Sequence, residues 1–115
     1  MKADISAMLE PLIKRKIFAT EEEAIRELVK EYILQQITAL QEKLRCFECK
    51  YGMHFAQFAE YLHEESVLLE KEGLSPEQRQ ALGRTIMQHE DDWLDWKMTK
   101  EMLESWLGLR QEIMA

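Results

Sequence analysis

From residue 20 to residue 51 the chain holds neither glycine nor proline, and good helix formers (Ala, Leu, Glu, Gln and Lys) dominate the stretch. A long helix is therefore the first expectation, and its start is marked in the sequence. Thr20 can accept from a free backbone N–H of the first turn, and Glu23 stands three residues on, where a capping box needs it. Glu21, Glu22 and Glu23 suit the positive end of the helix dipole. Ile25, Leu28, Val29, Tyr32 and Ile33 then recur at helical spacing. Beyond them Ile33, Ile37, Leu40, Leu44, Phe47 and Tyr51 follow at intervals of 4, 3, 4, 3 and 4, a heptad seam that asks for another helix along it. Gly52 is placed to terminate the helix.

The remaining chain also reads as helix. A shorter amphipathic segment is expected over residues 5–18 and another over residues 54–71, the latter with Phe55, Phe58, Ala59, Leu62 and Leu69 facing inward. Glu72, Gly73 and Leu74 read as a loop. Ser75, Pro76 and Gln78 then supply a cap, a first-turn proline and a reciprocal acceptor for a fourth helix reaching about residue 113, with room for a bend over residues 89–92. Neither strand alternation nor a hairpin signal occurs. The fold class expected is all-α: a four-helix, bundle-like chain with a long second helix whose seam packs on Leu82, Ile86, Trp93 and Leu103 of the same or a partner chain. At 115 residues it forms one domain, with a dimerising helix pair over residues 5–52 and acidic helices over residues 53–115.

Charge is unevenly spread. The first fifty residues carry nine basic and nine acidic side chains, whereas residues 51–115 carry six against thirteen, which accounts for the whole net charge of −7. Such a C-terminal half is a poor surface for nucleic acid and a plausible one for a basic protein, although acidic excess also simply keeps small proteins in solution. No apolar run approaches the roughly 20 residues of a membrane span, and residues 1–4 lack a signal-peptide pattern, so a cytoplasmic location is expected.

Three short stretches carry a family resemblance. Glu23-Ala24-Ile25-Arg26 opens the second helix, Lys50-Tyr51-Gly52-Met53 with Phe55 and Phe58 forms a junction, and Asp91-Asp92-Trp93-Leu94-Asp95-Trp96-Lys97 forms an acidic, tryptophan-bearing helix. Together they resemble a group of small archaeal and bacterial antitoxins with a ribbon-helix-helix-like helical pair. The resemblance spans most of residues 8–107, and residues 67–87 look like an insertion relative to that group. It implies an intertwined homodimer and a non-enzymatic function, the neutralisation of a partner toxin. Ribbon-helix-helix proteins read DNA through a strand ahead of the first helix. Here only Met1-Lys2-Ala3-Asp4-Ile5 precede it, too few and with the wrong charge at Asp4, so no DNA-contact residue is carried over. Lys14, Arg15 and Lys16 could touch phosphates, but basic residues so near a helix C-terminus equally stabilise its dipole.

The candidate partner-binding residues are Asp91, Asp92, Trp93, Asp95 and Trp96, where aromatics ringed by acid could anchor a basic protein. Tryptophans closing a helical core are the plainer reading. The candidate dimer and core seam is Ile25, Leu28, Val29, Tyr32, Ile33, Ile37, Leu40, Leu44 and Phe47. No catalytic residue, cofactor or metal site is expected. A lone Cys46/Cys49 pair cannot complete a four-ligand zinc site within one chain, and Glu60/His63 is one Glu-x-x-His where a di-iron bundle needs two. No phosphate-binding glycine loop or nucleophile elbow is present. The alternatives to a toxin-binding protein are a DNA-binding regulator of ribbon-helix-helix descent and a metal-binding bundle built on either pair.

Overall fold

The computed structural model describes residues 2–114, with side chains from Asp4 onward; Met1, read above as part of the N-terminal segment, lies outside the described residues. Four helices follow in order: α1 (Lys2–Lys14), α2 (Glu21–Tyr51), α3 (Phe55–Leu69) and α4 (Pro76–Met114). No strand occurs among the described residues, so the fold is all-α.

The caps explain the boundaries. Thr20 Oγ1 accepts the Glu23 N–H at 3.1 Å, while the Glu23 carboxylate accepts from Ala19 N–H rather than from Thr20, one residue earlier than a strict capping box. Ser75 and Gln78 make the full reciprocal box, with both bonds near 3.0 Å, and Pro76 takes the first helical position. Gly52 closes α2 in the left-handed region at φ 63, its N–H bonded to Glu48 O. α1 begins and ends earlier than expected. Ile17 N–H reaches Leu12 O and Lys16 N–H reaches Ile13 O, the paired bonds of a Schellman ending, and Lys16 takes the left-handed residue at φ 60. Ile17 and Phe18 therefore fall in the connection and not on the helix.

The arrangement is long rather than bundled, 75 × 26 × 23 Å. α4 alone runs about 58 Å at 1.5 Å per residue. α2 lies antiparallel along its C-terminal half: Lys43 meets Asp95, Lys50 meets Asp92, and Tyr32 meets Trp106. α3 lies antiparallel along its N-terminal half, where Glu65 meets His89 and Arg79 donates to Leu69 O. The turn at residues 52–54 lets α3 continue in the direction of α2, so three helices overlap only around Trp96. α1 packs on the start of α2, where Ala24 is fully buried and Leu9 nearly so.

The core sits in that overlap. Trp96 is 1% exposed and stacks on Phe47 at 5.4 Å and on Phe58 at 5.5 Å, with Phe55 edge-on at 5.6 Å. Leu62 completes the buried cluster, and Leu44, Tyr51, Met53 and Trp93 pack at its border. Within the chain, the α2 seam does not pack on Leu82 and Ile86. α2 ends level with Asp92, and the stretch of α4 that carries Leu82 and Ile86, between Arg79 and His89, lies along α3. Because α4 buries one face against α3 and another against α2, its apolar residues are spread around it and form no single stripe.

Candidate functional site

The acidic tryptophan segment lies midway along α4, and its five candidate residues point different ways because successive helical residues turn by about 100°. Trp96 points inward and is the centre of the core. Trp93 is half-buried, stacked on Phe55 at 6.0 Å with the Lys97 ammonium 5.4 Å from its ring, and its Nε1 is buried with no hydrogen-bond partner among the described residues. Asp92 faces α2, where it accepts from Lys50 Nζ at 2.6 Å and from the Tyr51 hydroxyl. Asp95 also faces α2 and holds Lys43 at 2.8 Å. Asp91 is exposed.

These roles differ physically. Lys43–Asp95 is half-exposed on both sides and contributes at most about 1 kcal/mol. Asp92 is more enclosed. Burial pushes its carboxyl up, but the hydrogen bonds from Lys50 and Tyr51 outweigh that and hold it below the ordinary aspartate range. Burial, together with the bond to the Asp92 carboxylate, pushes the Tyr51 phenol up to about 12. The Lys50 ammonium is raised chiefly by its bond to Asp92. Asp92 is thus the electrostatic clamp between the end of α2 and the middle of α4.

Asp91 and Trp93 do share a surface. With Leu62 and His63 of α3 and with Glu90 and Leu94 they line an open groove of about 500 Å³ between α3 and α4. Its walls are mainly apolar and its rim carries two carboxylates. Leu62, His63, Glu90 and Leu94 are not among the expected partner-binding residues, and the sequence pairs His63 only with Glu60; the α3–α4 pairing brings them together.

The seam residues divide into two groups. Ile33, Ile37 and Phe47 are buried and Leu40 and Leu44 half-buried, all toward α4, whereas Ile25, Leu28, Val29 and Tyr32 are exposed. Cys46 and Cys49 are exposed thiols on α2. Glu60 and His63 open onto different depressions of the surface. Among the described residues no group of three or more His, Cys, Asp or Glu side chains could hold a metal ion. Among the described residues no helix is long and apolar enough to cross a membrane.

One buried pair had no place in the sequence reading. Glu65 is 5% exposed, and its Oε1 lies 2.6 Å from His89 Nδ1. Its signal was its position three residues after Leu62, a carboxylate on the inward stripe of α3. Neither a protein-family model, a curated protein nor a solved structure matches the chain.

Proposed function

We propose that this chain is a non-enzymatic protein-binding module, the antitoxin-like member of a pair, which covers the active surface of a small basic toxin. The observation that carries the reading is the groove between α3 and α4. It presents apolar walls with Trp93 at its edge and the carboxylates of Glu90 and Asp91 on its rim. A helix or loop with an apolar anchor and flanking lysines or arginines has the matching chemistry. The resemblance of Glu23–Arg26, the Tyr51–Gly52 junction and the Asp91–Lys97 helix to small antitoxins supplies the kind of partner. The acidic C-terminal half disfavours nucleic acid as the ligand and favours a cationic protein.

The test starts from a pull-down in the native organism at low and high salt, with the captured protein then produced separately. Association of that protein is followed against the unaltered chain and against the double variant Glu90→Gln/Asp91→Asn. A small basic protein near one-to-one is expected, with an association rate that falls with salt and falls several-fold in the double variant. Equal rates for the two forms would remove the groove as the docking site. Recovery of DNA instead would move the function to gene regulation.

A further inference from the structure

Ile33 is buried between α2 and α4, and its neighbours Tyr32 and Leu34 leave α2 on opposite sides of it. On the Tyr32 side the ring of Trp106 covers the gap between the helices. On the Leu34 side the gap stays open. Lys30, Ile33 and Leu34 of α2 face Arg110, Ile113 and Met114 of α4, each set spaced i, i+3 and i+4, and together they line a cavity of about 200 Å³. Its walls are aliphatic, and no aromatic ring lines it. Leu34, Ile113 and Met114 remain 49, 42 and 61% exposed, so the cavity leaves apolar surface in water. The charged residues that line it are both cations, one from each wall. That runs against the net charge of −7, and it is the reverse of the α3–α4 groove with Glu90 and Asp91 on its rim. Lys30 meets Glu27 only loosely, at 3.8 Å, and Arg110 forms no ion pair among the described residues.

We propose that this cavity binds a small amphipathic carboxylate, a medium-chain fatty acid in chemical class, with its tail between α2 and α4 and its head held by Lys30 and Arg110. The walls select the tail. An apolar cavity of about 150 Å³ holds the six carbons of a benzene ring, and on that scale this one admits about eight apolar carbons. With Ile, Leu and Met side chains and no ring to stack on, it suits a flexible alkyl chain better than an aromatic one. The rim selects the head. Both cations have long aliphatic stems that lie against apolar surface while the charged ends reach the mouth, and the planar Arg110 guanidinium matches a carboxylate with two parallel hydrogen bonds. A neutral or cationic amphiphile gains no such contact. The α3–α4 groove lies far from this cavity, since Leu94 and Arg110 are separated by about 24 Å along α4. Binding of the carboxylate is therefore independent of the toxin-binding reading.

Titration of the purified full chain with straight-chain carboxylates, followed by calorimetry and by methyl NMR, tests the proposal. Octanoate is expected to bind one-to-one and to shift the methyl signals of Ile33, Leu34, Ile113 and Met114 but not those of Leu62 and Leu94 in the α3–α4 groove. From butanoate to octanoate each added methylene should tighten binding about three- to fourfold, and the gain should stop once the cavity is full. Octanol should bind about tenfold or more weakly than octanoate, and the double variant Lys30→Gln/Arg110→Gln should lower octanoate affinity to the level of octanol. Leu34→Trp, a substitution at a half-exposed position, should fill the cavity and abolish binding with the far-ultraviolet helix signal unchanged. If one variant unfolds, the other decides. No saturable binding at millimolar octanoate, equal affinity for octanol and octanoate, or full affinity in the double glutamine variant would each overturn the proposal. Methyl shifts that follow protein concentration instead of octanoate would give the face to a second copy of the chain and overturn it equally.

Discussion

The Glu65 carboxylate, enclosed between α3 and α4, is met by His89 Nδ1 at 2.6 Å, and the His89 ring stands edge-on to Phe58 and Tyr51. A carboxylate so placed is tolerable only with a partner, because removing one member of a buried pair leaves the other uncompensated. His89→Ala is therefore expected to cost about 3 kcal/mol. Replacing both members with apolar residues of similar volume should cost far less. Urea unfolding followed by circular dichroism makes the comparison. A His89→Ala loss below about 1 kcal/mol would mean that Glu65 finds water instead of His89.

Tyr51 and Asp92 predict a pH dependence with a definite sign. The Asp92 carboxyl is held low in the folded chain, so its contribution is present above the ordinary aspartate pKa and is lost as pH falls through the lower folded value. The Tyr51 phenol is held up at about 12 against an ordinary 10.0, so its contribution is complete below pH 10 and is lost between 10 and 12. Tyr51→Phe should cost about 1.5 kcal/mol at neutral pH, as the loss of a hydrogen bond to a charged group does. It should also flatten the decline of stability on the alkaline side. An unchanged alkaline limb in the Phe variant would place the titrating group elsewhere.

The helix count, the capping residues Thr20 and Ser75 and the terminating Gly52 were legible because each is a local signal within one turn of chain. Of the heptad seam, Ile33, Ile37 and Phe47 are buried. What the sequence did not reveal was which side of α2 each part turns to its neighbour. Ile25–Tyr32 and Ile33–Tyr51 form one continuous pattern along α2, yet Ile25, Leu28, Val29 and Tyr32 stay exposed, because they lie to one side of the face that Ile33, Ile37 and Phe47 bury. The acidic tryptophan segment read as one patch and divides into core, clamp and groove rim. Composition placed those residues together, and their angular positions on α4 separated them. Glu65 escaped notice because a carboxylate at an inward position is a break in the apolar pattern until its partner, 24 residues away, is known.

Lys16 occupies the left-handed position of the α1 ending at φ 60, where an L-residue with a side chain is disfavoured by about 1–2 kcal/mol. Part of that is returned as extra chain entropy when glycine replaces it. Lys16→Gly should therefore raise stability modestly, by up to about 1 kcal/mol. Lys16→Val, β-branched at the same φ, should lower it. Thermal unfolding of the two variants beside the unaltered chain should give opposite shifts; shifts of the same sign would show that the ending of α1 is not under this constraint.

Trp93 and Trp96, three residues apart, should separate stability from binding. Trp96 is enclosed by Phe47, Phe55 and Phe58, so Trp96→Ala is expected to cost about 3–5 kcal/mol, a large share of the stability of a domain this size. Any loss of partner affinity in that variant would follow from unfolding. Trp93 is different. Phenylalanine there keeps a ring against Phe55 and removes the buried Nε1 that has no partner, so Trp93→Phe should leave stability within about 1 kcal/mol of the unaltered chain or raise it. If Trp93 anchors a partner in the α3–α4 groove, the same variant should still weaken binding, since less aromatic surface remains at the groove edge. Titrating both variants with the captured partner at a temperature well below either midpoint distinguishes the two effects. Full affinity in Trp93→Phe would show that Trp93 does not anchor the partner.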